Sequence, residues 1–333
     1  MTAPSPAPIL EVEGLSVAIG ARRVVDATGF ALAPGEVLAL VGESGCGKSM
    51  TAMALLGLLP AAARLAGGRI GFEGRDLALL PEREMRALRG NRISVIFQDP
   101  SGSLDPLMTV GAQLAEGLRA HRAMGRDEAR ERSLAMLRAV GISEPERRLA
   151  QYPFELSGGM CQRVMIAIAL AAEPAVLLAD EPTTALDVTI QAQILDLMKA
   201  LRRERGTSIL LITHDMGVVA DMADRVAVMY AGRIVESGPV DAIFADPRHP
   251  YTRLLLRSVP RLDDPPKGEM TVIAGSVPAQ GEWPPGCRFA PRCPLAEQAC
   301  IASEPAVEQL PGGRRVACRR HADALETGEG AAR

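Results

Sequence analysis

The stretch VLALVGESGCGKSMTAMALLGLLP, residues 37–60, decides the fold. Its first five residues are an unbroken apolar run between Pro34-Gly35 and Gly42, the pattern of a short strand buried on both faces. Gly42, Glu43, Ser44, Gly45, Cys46, Gly47, Lys48 and Ser49 then match G-x-x-x-x-G-K-[ST]. Met50 follows, and an apolar helix is expected through Leu59. Strand, glycine-rich turn and helix, in that order, is the setting this motif requires. The chemistry explains the residue types. Glycines let successive backbone N–H groups point into one concavity that cradles phosphate oxygens. The helix N-terminus adds positive potential. Lys48 reaches the β- and γ-phosphates, and the Ser49 hydroxyl ligates Mg²⁺.

Working outward, residues 9–17 and 23–33 alternate like strands, with a turn near Gly20. Residues 93–97, 176–179 and 209–212 are further short apolar runs. The last two each follow a helical segment, which is the alternation of an α/β fold with a parallel sheet. Residues 104–150 carry Arg, Glu, Ala and Leu at helical spacing and read as a helical insertion. Residues 1–8 read as a leader without regular structure. Beyond about residue 245 proline and glycine become frequent and periodicity fades. The AVLLA strand ends on Asp180 and Glu181. Asp180 is placed to hold Mg²⁺ directly or through water. Glu181 is a candidate general base for a water attacking the γ-phosphate. Alone, such a pair is an ordinary strand end; beside a phosphate loop it is a candidate site.

Composition excludes several classes. The chain has 333 residues, which suits two domains, or one and an extension. An apolar fraction of 47% supplies a sizeable core and rules out wholesale disorder. Aromatics are only 3%, which disfavours stacking on nucleic-acid bases. Net charge is −3, so no basic field invites nucleic acid. The first residues lack a basic region followed by an apolar one, and no secretory signal is expected. The uncharged stretch at residues 49–63 falls short of the ~20 residues of a membrane helix and contains Pro60. A cytosolic chain with reduced thiols is expected, so clustered cysteines favour metal over disulfides.

Leu156, Ser157, Gly158, Gly159, Met160, Cys161 and Gln162 read LSGGMCQ. With the phosphate loop before it and Asp180-Glu181 after it, the chain resembles the ATP-binding subunits of ABC transporters, over about residues 9–245. The ordered set is complete: Gln98 matches the Q-loop, Ser157–Gly159 the signature, Ala185-Leu186-Asp187 the D-loop and His214 the switch histidine. The resemblance implies a P-loop NTPase (RecA-like) core in an ABC ATPase domain at 1–245. It adds an antiparallel β subdomain and a helical subdomain at about 100–160. It also implies that two such subunits sandwich two ATP molecules. Ser157, Gly158 and Gly159 would then contact nucleotide held by the partner's phosphate loop, with Asp187 across the interface. Gln98 would sense Mg²⁺ and the attacking water, and His214 would orient that water. Two positions depart from the family. Met160 stands where the commonest signature has Gln. Ile19 stands where relatives place an adenine-stacking aromatic, which implies weak base selectivity.

Residues 246–260, DPRHPYTRLLLRSVP, then GSVP and GCRFAPRCPLAEQAC, are similar to the C-terminal region of oligopeptide and dipeptide importer ATPases. That resemblance makes residues 246–333 an extension of the importer type. It implies as partners two membrane permeases, a second homologous ATPase (or a homodimer) and an extracytoplasmic solute-binding protein, with no nucleic acid. The place implied is the cytoplasmic face of the inner membrane. Nickel and glutathione importers are close relatives, and a soluble ABC ATPase without permease is an alternative of a different class. Four of the six cysteines, Cys287, Cys293, Cys300 and Cys318, lie in this extension, spaced C-x5-C-x6-C-x17-C. No C-x2-C knuckle is present, which weakens a zinc ribbon. Four thiols suit an iron–sulfur cluster, and relatives with this tail carry a 4Fe-4S cluster. Zn²⁺ with His321 substituting for one thiol, or free thiols, are the alternatives.

Overall fold

A computed structural model of the chain describes residues 7–184, 186–259 and 273–323. Most of the expected leader, Ala185 of the D-loop, Pro260 and residues 324–333 lie outside the described residues. In chain order the strands are β1 (Leu10–Ile19), β2 (Arg22–Leu32), β3 (Val37–Val41), β4 (Ala63–Phe72), β5 (Arg75–Asp76), β6 (Ile93–Ile96), β7 (Val176–Asp180), β8 (Ser208–Ile212), β9 (Arg225–Tyr230), β10 (Arg233–Pro239), β11 (Glu308–Leu310) and β12 (Arg314–Val316). The helices are α1 (Lys48–Leu55), α2 (Glu82–Leu88), α3 (Pro100–Ser103), α4 (Val110–Ala120), α5 (Arg126–Ala139), α6 (Pro145–Arg148), α7 (Gly158–Ala171), α8 (Val188–Arg205), α9 (Met216–Met222), α10 (Val240–Ala245), α11 (Pro250–Arg257) and α12 (Gln298–Ala302). Among the described residues no helix is long and apolar enough to cross a membrane.

The described chain groups into two compact units. The first takes residues 7–10, 31–37 and 71–212. Its strands β6, β7 and β8 are parallel, with Ile96 beside Ala179 and Asp180 beside Ile212. Every residue of β7 and β8 is buried, which is why both read as apolar runs without alternation. The helices at 110–171 pack on one another by spaced apolar faces. In α4 these are Val110, Leu114 and Leu118, and in α5 Ala129 and Leu137, with buried Ser133 between them donating its hydroxyl to the Ala129 carbonyl at 2.7 Å. Leu118, Met124, Ala129 and Ala171 form their shared core. The α4 start is capped by Thr109, whose hydroxyl accepts the Ala112 N–H at 3.3 Å.

The second unit takes residues 11–30, 38–70 and 213–323. In it β3 pairs parallel with β9, β9 antiparallel with β10, β10 with β12, and β12 with β11. Two elements differ from the sequence expectation. Helix α1 ends at Leu55 and does not run on to Leu59, because Gly57 takes the left-handed conformation (φ 62°) that ends helices. The region past residue 245 also holds regular structure, α11, α12, β11 and β12. Strands of three residues are too short to show alternation, and β12 gains its definition from pairing Val316 with Glu236 of β10.

Burial in this unit is paired. Glu236, 1% exposed, accepts the N–H groups of Arg248 (2.8 Å) and His249 (2.9 Å) and a guanidinium N–H of Arg314 (3.0 Å). Asp26 gathers Arg23, Arg233 and Arg288. Burial alone would raise the Asp26 carboxyl, but hydrogen bonds from these three arginines hold it below its ordinary range. Removing one member of a buried pair strands the other charge. Arg314→Ala is therefore expected to cost about 3 kcal/mol of unfolding free energy. Urea unfolding of the full chain measures it, and an unchanged midpoint would show that the pair contributes nothing.

Candidate nucleotide site and cysteine cluster

The phosphate loop lies in the second unit, between buried β3 and the start of α1. Three of its residues need glycine: Gly42 (φ 151°), Gly45 (φ 79°) and Gly47 (φ 111°). Gly42 and Gly47 are also crowded, since a Cβ on Gly42 would sit 2.1 Å from the Met229 carbonyl oxygen and one on Gly47 2.9 Å from that of Val24. The loop is thus pressed against neighbouring backbone, and only Ser44 and Gly45 stand exposed in it. Lys48 is buried and its Nζ donates to the carbonyls of Gly42 (2.7 Å) and Glu43 (3.1 Å). These bonds fold its ammonium back onto the loop. Cys46 is buried, and burial raises its thiol, with Lys48 opposing. It stays a neutral thiol that packs the loop. Ser49 and Met50 are half-buried at the start of α1. His214, two residues beyond β8, is exposed, and the next residue, Asp215, caps α9 by accepting from Gly217 N–H and Val218 N–H.

In the first unit Gln98, Asp180 and Glu181 follow the same ends of two paired strands. Strands β6 and β7 run in parallel, so Gln98, two residues past β6, and Asp180, the last of β7, lie beyond the same strand ends. Asp180 is 4% exposed, and Gln98 is exposed. Glu181 adopts a left-handed conformation (φ 49°), unusual for a residue with a Cβ. Its N–H donates to the Ile212 carbonyl at 2.8 Å, and its Oε2 accepts from the Thr184 hydroxyl at 3.0 Å. Ser157 caps α7, its hydroxyl accepting the Met160 N–H at 3.3 Å, so Ser157 and Gly158 are exposed at a helix start with Gly159 half-buried behind them. That end offers N–H groups and a positive dipole to an anion. Asp187 is exposed and caps α8 through the Ile190 N–H at 3.1 Å.

The four cysteines of the extension share one cavity of about 20 Å³, walled also by Phe289, Ala290 and Leu295. Burial pushes the Cys287 thiol up, that of Cys293 to about 11 and that of Cys318 to about 12. The lining offers four thiols and no carboxylate, with His249, Arg319 and Arg320 beside the apolar side chains. The spacing is looser than ligation requires. Among the described residues no three His, Cys, Asp or Glu side chains are drawn together closely enough to hold a metal ion. His321 is absent from the cavity lining, and its Nε2 lies 3.0 Å from Glu308 Oε2, so it has a partner of its own.

Residues 25–184 match the family described as ABC transporter, and residues 235–300 match the C-terminal region of oligopeptide/dipeptide transporters. A putative peptide import ATP-binding protein of Brucella abortus (strain 2308) is 49% identical over 316 residues, covering 94% of this chain and 95% of its own. The chain belongs to the ABC transporter ATP-binding family. The dipeptide transport ATP-binding protein DppD of Bacillus subtilis (strain 168) is 52% identical over 297 residues, 88% of each chain. Among solved structures, the dimeric, post-hydrolysis ATP-binding cassette MJ0796 with ADP and Pi superposes with a TM-score of 0.63. It is 28% identical and covers 69% of this chain and 98% of its own. The α/β fold with a P-loop core is thereby that of an ABC cassette.

Three contacts around the signature helix and the phosphate loop escaped the sequence. Gln162, 1% exposed on α7, donates from Nε2 to the Pro182 carbonyl at 2.6 Å and so ties the signature helix to the loop after Glu181. The other two, Tyr251 and Arg292, reach Glu43 of the phosphate loop. Partners 20 or more positions apart leave no local pattern to read. A buried Gln in the middle of an apolar helix was the one available signal.

Proposed function

We propose that this chain is the ATP-hydrolysing motor subunit of a membrane importer for peptides. One observation carries the reading. Similarity to peptide-transport subunits runs through the nucleotide residues and through the extension at 235–300 alike. We take the boundary between ATPase domain and extension near residue 245, where the motifs change. In the cycle, two ATPase subunits close on two ATP molecules, each nucleotide lying between the phosphate loop of one and Ser157–Gly159 of the other. Lys48 and the loop N–H groups stabilise the charge that develops on the phosphates, with Mg²⁺ held by Ser49, Asp180 and Gln98. A water attacks the γ-phosphorus, Glu181 takes its proton, and the bond to ADP breaks. His214 orients the water, and Asp187 acts across the interface. Product release reopens the pair and moves two permeases docked on it, at the cytoplasmic face of the membrane. A solute-binding protein delivers the peptide from outside.

Ile19 at the end of β1 is 38% exposed and offers no ring for the base. GTP should therefore be hydrolysed beside ATP, with kcat/KM values within about tenfold, since an aromatic stack is worth about 1 kcal/mol. Steady-state assays of the complex with each nucleotide measure this, and strict ATP dependence would contradict it. For the extension we propose that Cys287, Cys293, Cys300 and Cys318 hold an iron–sulfur cluster. Support comes from four thiols facing one apolar cavity; the pairing of His321 with Glu308 weighs against the Zn²⁺ alternative. Such a group would fix an irregular segment in place. Affinity purification of the full chain from its own membranes tests the importer reading. Recovery with two permeases and a second ATPase supports it, and recovery without membrane subunits would favour a soluble ABC ATPase.

A further inference from the structure

Glu43 is the first variable residue of the phosphate loop, and the extension grips it twice. Arg292 donates from Nη1 to Glu43 Oε2 at 2.6 Å and from Nη2 to Oε1 at 3.0 Å, a bidentate pair. The Tyr251 hydroxyl accepts the Glu43 backbone N–H at 2.8 Å. Both grips are themselves immobilised. The Arg292 side chain is 5% exposed, and it also donates to the Ala274 carbonyl (2.8 Å) and the Ile273 carbonyl (3.2 Å). Tyr251 is fully buried against Tyr230 (ring centroids 4.7 Å) and Phe289 (5.4 Å). It is oriented by His249, whose Nδ1 accepts the Tyr251 N–H at 3.0 Å at the start of α11. Burial lowers the His249 ring to about 3, so it is a neutral acceptor at physiological pH.

We propose that Tyr251 and Arg292 are positioning residues of the nucleotide site, through which the extension sets the shape of the phosphate loop and hence its affinity for ATP. Glu43 is half-exposed, next to Ser44 and Gly45, the exposed part of the loop that is least held by neighbouring backbone. Fixing its carboxylate and its N–H at once leaves the loop one way to lie, which lowers the ordering cost of binding a triphosphate. The His-Pro-Tyr run at 249–251 thereby acquires a role: histidine orients, proline starts the helix and tyrosine holds the loop. The same aromatic group continues into the cysteine cavity, which Phe289 and His249 help to wall. Arg292 is followed directly by Cys293. The extension and the phosphate loop are thus one packed body within the second unit.

This rests on the phosphate loop being the ATP site, and the test separates the two claims. ATP affinity and steady-state hydrolysis are measured on the full chain in its complex, for wild type, Lys48→Ala, Arg292→Ala, Arg292→Lys, Tyr251→Phe and the exchange Glu43→Arg with Arg292→Glu. Loss of ATP binding in Lys48→Ala supports the site itself, and retention overturns it. Arg292→Ala should raise KM and Kd for ATP about tenfold with kcat within about twofold, as expected for one lost charged hydrogen-bond pair. Arg292→Lys should recover part of this, and the exchange should recover most. Tyr251→Phe keeps the ring packing and should raise KM about threefold. If the variants fold, bind ATP as wild type does and lose only thermal stability, the contact is merely structural and the proposal fails. A KM defect that the exchange leaves uncorrected also overturns it.

Discussion

Glu181→Gln protein should bind ATP at least as tightly as wild type and hydrolyse it about 10²- to 10⁴-fold more slowly, the range a positioned general base contributes. On the proposed role of Glu181 as base, this substitution isolates the proton transfer, because the loop around it is held by other contacts. Glu181 is held at φ 49°, its N–H is bonded to the Ile212 carbonyl, and its carboxylate takes the Thr184 hydroxyl. Gln162 fixes the next residue, Pro182. Glutamine is the same size and still accepts from Thr184, so the loop keeps its shape while the proton acceptor is lost. ATP then persists, and subunits closed on it should stay closed. Single-turnover hydrolysis and gel filtration with ATP check both parts. Near-normal turnover would remove Glu181 from the role of base.

The second large effect is on Gly42. A Cβ there would lie 2.1 Å from the Met229 carbonyl oxygen and 3.0 Å from Cys46 Sγ, at a φ of 151° that side chains avoid. The obstacle is backbone of β9, which cannot swing aside as a side chain would. Gly42→Ala should abolish ATP binding and cost at least about 3 kcal/mol, from steric overlap and backbone strain together. For a domain of this size that lowers the melting midpoint by roughly 6–12 °C. Gly45→Ala is the comparison, since Gly45 has nothing within 4 Å and only a φ of 79° to lose. It should cost about 1 kcal/mol. Calorimetry and nucleotide titration of the two proteins read the difference. Equal effects at both sites would mean that conformation, not contact, dictates the glycine at 42.

Much of this was legible in the sequence where function is local. GESGCGKS announces its own strand, turn and helix, because the chemistry of a phosphate cradle needs glycines, a lysine and a hydroxyl at fixed spacing. The buried strands β3, β7 and β8 stand out for the same reason, an apolar run with turn residues at its ends. Four cysteines within the extension indicated a shared environment, and they do line one cavity. What was illegible is contact across the chain. Arg292 meets Glu43 across 249 positions and Arg314 meets Glu236 across 78. Neither arginine differs locally from its neighbours in a chain whose lysines are only Lys48, Lys199 and Lys267. The early end of α1 was readable in principle, since Gly57 marks it, but the apolar residues around it continue the helical pattern.

ATP-driven peptide uptake by the assembled complex decides whether this chain powers a peptide importer. Proteoliposomes would carry the complex with this subunit and contain ATP inside, with the solute-binding protein and labelled dipeptide or oligopeptide outside. Peptide should accumulate only with internal ATP, fail to accumulate with Glu181→Gln, and stimulate hydrolysis. Hydrolysis that ignores peptide, with uptake only of glutathione or nickel or of no solute, would contradict a role in peptide import.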